Sequence, residues 1–182
     1  MALENWQVDA AHSSVGLVVK HMVISKVRGN FGEWKARLAL DPADLSRSSV
    51  EVEIEAASID TGVADRDAHL RSGDFLDVEH HPVIRYVSRK VEVVSPGRLR
   101  VVGDLTIRGT TREVPLDVEV GGQAKDPWGN VRMGFSATAS LNRKDFGLTW
   151  NQALETGGVL VADRVDVSIE IEAVRQAASA AA

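Results

Sequence analysis

The residues that could do chemistry are five histidines, a serine beside one of them, and an arginine–aspartate pair on a short helical stretch. The histidines are His12, His21, His69, His80 and His81. His80 and His81 are adjacent, and neighbours in an extended chain face opposite sides, so they do not converge. No pair has the i, i+4 spacing of a helical zinc site. His12, His21 and His69 could meet at one end of a barrel, where Asp67 would complete a metal or acid/base cluster. The simpler expectation is that the histidines hydrogen-bond turns, leaving no catalytic residue, no metal and no cofactor. Ser13 follows His12, but no strand–turn–helix elbow surrounds it. No Gly-rich loop precedes a helix to cradle phosphate.

The arginine and aspartate lie in the one stretch that does not alternate, Ser58 to Pro82. Thr61 can cap a helix, Gly73 can stop it, and nine residues, Val63 to Arg71, repeat in register with it. Val63, Arg66, Asp67 and Leu70 fall at i, i+3, i+4 and i+7, one helix face. If that face covers the end of a sheet or barrel, Arg66 and Asp67 point into it. A buried charge must be paired and hydrogen-bonded. The two residues then either tie the cap to the strands or form the polar end of a cavity.

The elements that would hold such a cap are strands. Val50, Val52 and Ile54 face one way and Glu51, Glu53 and Glu55 the other, which is a strand with one wet face. Trp6 to Asp9 is a short first strand, and Val15 to His21 reads as the next. Val27-Arg28-Gly29-Asn30 is turn-like, and Phe31 to Leu40 follows as one strand. Val83 to Val94, Leu99 to Ile107, Val114 to Val120, Phe135 to Leu141 and Val165 to Ile171 complete the set. Gly121 to Asn130 reads as a loop and Asn142 to Gly158 as irregular. About eight antiparallel strands with hairpin-length connections must pack their dry faces together or close on themselves. The expectation is an all-β fold, an eight-stranded antiparallel barrel with a short helix covering one end, which removes exposed edges. A two-sheet sandwich is the competing architecture. Strand length and inward glycines such as Gly103 favour the barrel.

With 182 residues and no cysteine, the chain suits one domain without disulfides or thiolate sites. The domain spans residues 6–174, and the Ala-rich residues 175–182 read as a frayed, disordered tail. The net charge of −5, from 26 acidic and 21 basic residues, gives no support for nucleic-acid binding or for electrostatic docking on an anionic membrane. No apolar run approaches the roughly 20 residues that span a bilayer, so no stable membrane insertion is expected. Met1 to Trp6 has neither a basic region nor an apolar run, and the expected compartment is the cytoplasm.

Several short pieces occur in order: Asp9-x-x-His12-Ser13; His21 with Gly29-x-Phe31; Ser58-Ile59-Asp60-Thr61; Arg66-Asp67-x-His69-Leu70 followed by Asp74-Phe75; Pro82; Gly103-Asp104-Leu105-Thr106-Ile107-x-Gly109; and Asn142-Arg143-x-Asp145-Phe146-Gly147. Each is weak alone, but the ordered set, from about Trp6 to Val174, resembles the YceI-like, polyisoprenoid-binding family. The resemblance implies a lipocalin-like barrel with a helix over one end. It also implies a long apolar tunnel that takes a long-chain isoprenoid lipid, such as an isoprenoid quinone or polyprenyl phosphate. The resemblance also suggests a homodimer, as in some members of the family. Many are secreted to the periplasm, whereas this chain shows no signal sequence, so its lipid and route are expected to differ.

The residues of inward parity that would line the tunnel are Val15, Leu17, Val19, Val52, Ile54, Leu99, Val101, Leu105, Ala137 and Ala139, with Phe31, Trp34, Phe135, Phe146 and Trp150 shaping it. By parity alone these side chains either surround a gap or fill the barrel. A twenty-carbon chain at about 0.8 kcal/mol per CH₂ would gain on the order of 16 kcal/mol, against costs of about 4–15 kcal/mol. The balance of about 1–12 kcal/mol is compatible with an affinity in the micromolar-to-nanomolar range. A head group needs donors, and His21, Arg66 and Arg143 are the candidates, Arg suiting phosphate through paired hydrogen bonds. Arg143 and Lys144 read otherwise as exposed loop charges. The chain is thus expected to bind, transport or store an amphiphile without enzymatic action. One alternative is an enzyme using His12, His21, Arg66 and Asp67 on an isoprenoid-like substrate. The other is a stress or interaction protein with a filled barrel.

Overall fold

The computed structural model describes residues 2–178. Eleven strand segments and one α-helix follow in chain order: β1 (Glu4–Val8), β2 (Ser14–His21), β3 (Ser25–Phe31), β4 (Trp34–Leu40), β5 (Ser49–Glu55), β6 (Ile59–Asp60), α1 (Ala64–Arg71), β7 (Val83–Ser95), β8 (Arg98–Ile107), β9 (Thr110–Lys125), β10 (Val131–Asn142) and β11 (Val161–Arg175). All pairings are antiparallel. Eight strands close a ring in the order β1-β4-β5-β7-β8-β9-β10-β11 and back to β1. The fold is therefore the lipocalin-like closed barrel with a short helix.

The alternation drives closure. In β11 the residues Val165, Val167, Ile169 and Ile171 turn inward while Asp166, Ser168 and Glu170 face water, and in β5 valines alternate with glutamates. Outward charges meet across the strands, as in Lys35–Glu53 at 2.9 Å and Arg85–Glu51 at 2.5 Å. Such pairs each contribute little at a wet surface. The fold is held by the inner face.

The wall departs from a plain barrel where β1 gives way to β2. Asp9 accepts from the Ala11 N–H at 3.0 Å and sets a single 3₁₀ turn, Ala10–His12. Beyond it, β2 replaces β1 on β11, with Val8 opposite Ala173 but Val15 opposite Ile169. β3 pairs with β2, and the two-residue β6 pairs with β3. These three segments extend the wall at the helical end.

Several local expectations change. Val27 to Asn30 is not a turn but part of β3. Its Gly29 allows a close approach of the neighbouring segment, since a Cβ there would sit 3.1 Å from Thr61 Cγ2. Phe31 to Leu40 is not one strand: the chain bends at Gly32–Glu33, where the Gly32 N–H bonds Ser58 O. The β9–β10 strands run on to Lys125 and from Val131, so the expected loop shrinks to a turn around Asp126–Asn130. Thr61 does not cap α1. The N-cap is Val63, without a side-chain bond. Arg175 belongs to β11 and the Gln176 N–H bonds Asn5 O at 2.9 Å, while residues 179–182 of the expected tail lie outside the described residues.

Candidate functional site: a cavity inside the barrel

The core divides into two clusters with a space between their walls. At the end away from the helix, Trp6, Leu38, Leu40, Met133 and Ala173 pack into a plug. Towards the helix lies a cavity of about 630 Å³, within the range of about 300–1,000 Å³ of small-molecule sites. Its walls are almost wholly apolar.

All fifteen residues expected to line a tunnel are on that wall: Val15, Leu17 and Val19 from β2; Phe31 and Trp34 at the bend; Val52 and Ile54 from β5; Leu99, Val101 and Leu105 from β8; Phe135, Ala137 and Ala139 from β10; and Phe146 and Trp150 from the irregular segment. Inward-facing residues in a filled barrel would be fully buried. Here Leu17, Val19, Val52, Ile54, Leu105, Ala139 and Val167 are only half-buried although they face inward, because their neighbour across the axis is empty space. The barrel interior is open.

The small size of Gly103 serves a neighbour rather than the tunnel. A Cβ there would lie 2.6 Å from Tyr86 Cζ and from Val87 O. Tyr86 lies across this glycine and donates its hydroxyl to Val114 O at 3.0 Å. Burial pushes its phenol pKa up, so the group stays a neutral donor.

Thr61, Asp65, Arg66 and His69 bring polar groups to the wall at the helix, and Lys20, His21, Ser48, Ser49 and Arg143 also border the cavity. Arg66 donates from Nε to Thr61 Oγ1 at 2.6 Å and from Nη2 to Thr61 O at 2.7 Å. A guanidinium has five N–H donors, so three of them have no protein partner among the described residues. Asp67 turns away from the cavity. It is buried and accepts from Thr61 Oγ1 at 2.5 Å and Thr61 N–H at 2.9 Å. Burial opposes its charge, but the Thr61 bonds and the Arg71 and Arg66 guanidiniums hold its pKa below the usual value. The expected face therefore splits: Arg66 and Leu70 reach the cavity with Asp65 and His69, Asp67 ties the loop to the helix, and Val63 is exposed.

Arg143 is buried rather than an exposed loop charge; Lys144 is exposed. Arg143 donates to Ala162 O, Leu148 O, Trp150 O and Val161 O at 2.9, 2.7, 2.9 and 3.3 Å. Burial lowers its pKa and Asp163, 3.7 Å away, acts against that. It borders the cavity, but its donors already hold the Leu148 and Trp150 carbonyls of the irregular segment and the Val161 and Ala162 carbonyls at the start of β11. This clasp presents Trp150, which stacks edge-on with His69 at 4.6 Å between ring centroids. His69 also packs on Phe75 at 5.0 Å and bonds Asp74 at 2.8 Å. Sequence reasoning gave His69 a place only in a polar cluster. Its role as the aromatic joint between helix and barrel has no local pattern.

The three histidines do not meet. His21 and His69 border the cavity, but His12 is at the β1–β2 joint, bonded to Asp9 at 3.0 Å. There Asp9, His12 and Glu172 have ligand atoms within 4.8 Å of one another. Arg132 Nη1 donates to Asp9 at 2.8 Å and to Glu172 at 2.7 Å, so a guanidinium already balances these carboxylates. Its Nε binds Asp126 at 2.9 Å. The Arg132 and His12 bonds hold Asp9 at about 2. Asp126 is also at about 2: burial raises it, but Arg132 and the Asn130 and Trp128 N–H groups win. His80 caps its own turn through Asp77 at 2.9 Å, and His81 lies beneath Gly109.

A closed antiparallel barrel with one ligand-sized apolar cavity and a polar end defines a protein of the lipocalin-like class. Within that class the family is specific: residues 6–173 match the YceI-like domain, and the chain belongs to that family. UPF0312 protein SAS2572 of Staphylococcus aureus (strain MSSA476) is 38% identical over 172 residues, covering 94% of this chain and 96% of that protein. Among solved structures, the Campylobacter jejuni YCEI protein is 32% identical with a TM-score of 0.76, over 87% of this chain and 90% of that one. BcnA of Burkholderia cenocepacia is 25% identical with a TM-score of 0.80, over 91% and 98%. A polyisoprenoid binding domain from Saccharophagus degradans, 13% identical, shares the fold with a TM-score of 0.65 over 96% and 99%. Among the described residues no helix is long and apolar enough to cross a membrane.

Proposed function

We propose that the protein binds a long-chain apolar amphiphile in its barrel, as a carrier or store that leaves the molecule unchanged. The cavity carries this reading: about 630 Å³ inside a closed ring, walled by half-buried aliphatic side chains. Such a space favours a flexible hydrocarbon. Membership in the YceI-like family and the shared fold of a polyisoprenoid binding domain support an isoprenoid chain. The head group belongs under the helix. Arg66 offers its three remaining donors there, His21 borders the same cavity, and Arg143 fixes the Trp150 wall. A polyprenyl phosphate would use the guanidinium as an ion, an isoprenoid quinone as a hydrogen-bond donor.

An enzyme acting through His12, His21, Arg66 and Asp67 has little support, since His12 is at the β1–β2 joint and Asp67 turns from the cavity. A filled barrel is opposed by the cavity itself.

Native mass spectrometry of the purified protein, followed by organic extraction, tests the proposal and reports the number of subunits. The expected result is an adduct of isoprenoid mass, one per chain. A protein that is bare as purified, and remains so after incubation with quinones and polyprenyl phosphates, would overturn it. Ala139→Trp puts a large ring into the cavity and should abolish uptake while the circular dichroism spectrum stays that of the barrel.

A further inference from the structure

The hairpin between β2 and β3 carries three consecutive apolar residues directly after His21, which borders the cavity. Met22, Val23 and Ile24 are 39%, 69% and 84% exposed. Met22 and Val23 have φ of 54° and 65°, the left-handed pair that a type I′ turn requires, and the Ile24 N–H closes the turn on His21 O at 3.2 Å. Such turns favour Asn-Gly or Asp-Gly, and a β-branched residue at positive φ is an outlier. Neither the turn nor water favours these side chains, so they point to a contact outside the fold.

The tip is joined to the cavity wall. His21, immediately before it, borders the cavity, and the Met22 N–H donates to Leu160 O at 2.9 Å, Leu160 being another wall residue. Val23 packs over Gly158, beside Val159, which is 42% exposed. Val63, 48% exposed, precedes the helix that borders the same end.

Behind the tip the hairpin is cationic. Lys20 and Lys26 stand directly opposite each other, Arg28 follows opposite Val18, and all three are exposed. Like charges directly opposite in a ladder oppose pairing. The nearby acids are engaged or few. Asp163 is paired with Lys144 at 3.3 Å and Asp166 with Arg164 at 2.8 Å. Lys26 adds to the positive field at Asp166, and Glu155 lies on the exposed neighbouring loop. A net charge of −5 conceals this local excess.

We propose that this rim docks on an anionic lipid bilayer. Val23 and Ile24 enter the acyl boundary, Lys20, Lys26 and Arg28 meet the lipid phosphates, and the part of the cavity bordered by His21 and Leu160 faces the layer. An apolar tip with a basic collar suits an interface of that kind. A narrow convex tip suits a deformable lipid layer better than the flat face of a folded partner. The inference rests on the carrier reading for its purpose, since a lipid cargo must leave and re-enter a bilayer.

Flotation with phosphatidylglycerol/phosphatidylcholine vesicles tests it on the intact chain. Wild type should float with mixed vesicles, less with phosphatidylcholine alone, and less as salt rises. Val23→Asn/Ile24→Asp should bind about tenfold or more weakly. Asn tolerates the left-handed conformation, so this variant keeps its hairpin. Lys20→Glu/Lys26→Glu should lose the preference for phosphatidylglycerol. Wild type that never floats, or a tip variant that floats as well as wild type, would overturn the docking surface. Uptake of an isoprenoid from detergent solution separates the two readings. Uptake without vesicle binding sinks docking alone, and vesicle binding without uptake of any isoprenoid sinks the carrier reading alone.

Discussion

Single side chains decide what the cavity accepts and whether its wall survives. Arg66 borders the cavity with three donors that have no protein partner among the described residues, its other two being fixed on Thr61. Arg66→Gln should therefore weaken a polyprenyl phosphate by about tenfold or more, because charge-assisted hydrogen bonds are worth about 1.5–3 kcal/mol, and leave a quinone nearly unaffected. Competition binding with the two ligand types measures the difference. Gly103 is a wall residue of another kind. A methyl group there would strike both the Tyr86 ring and the Val87 carbonyl at 2.6 Å. Gly103→Ala should destabilise by about 1–3 kcal/mol in urea unfolding. Adding Tyr86→Ala should not restore stability, since the backbone clash remains.

At the scale of elements, the β1–β2 joint is held by one guanidinium bridging three carboxylates. Asp9 and Asp126, at about 2 in the fold, return to about 3.9 when unfolded. A carboxyl lowered by folding contributes stability above its unfolded pKa and loses it as pH falls through the folded one. Arg132→Met should thus unfold at lower urea than wild type above about pH 4, and the gap should close towards pH 2. A gap that stays constant to pH 2 would mean that Arg132 acts through packing instead. The elements themselves were legible where the alternation is unbroken, as in β5, β8 and β11. β3 was hidden because Gly29 and Asn30 look like turn residues, whereas the glycine answers to Thr61 on a neighbouring segment. The ends of β9 and β10 were hidden similarly by Gly121-Gly122, which sit at a shift of register beside Gly134. The inward parity of the wall was readable. Arg143 and His69 were not, because their carbonyl and aromatic partners obey no local period.

For the whole molecule, the open interior is the main energetic feature. A core normally packs without voids of this size, and half-buried aliphatic walls forgo contacts that a ligand would supply. Binding should therefore stabilise the barrel. At about one hundred times its Kd, a ligand adds about 2.7 kcal/mol, which raises Tm by roughly 5–11 °C for a chain of this length. Differential scanning fluorimetry with an isoprenoid quinone reads this directly, and the shift should vanish in Ala139→Trp.

The empty barrel should also yield to hydrostatic pressure. Unfolding a protein under pressure is driven by the internal void it eliminates, and here that void is the binding site. The empty form should unfold at lower pressure than the loaded one. Ala139→Trp, whose ring occupies part of the space, should resist pressure more than wild type even if heat unfolds it sooner. Occupancy of the barrel would then be readable as compressibility, without a labelled lipid.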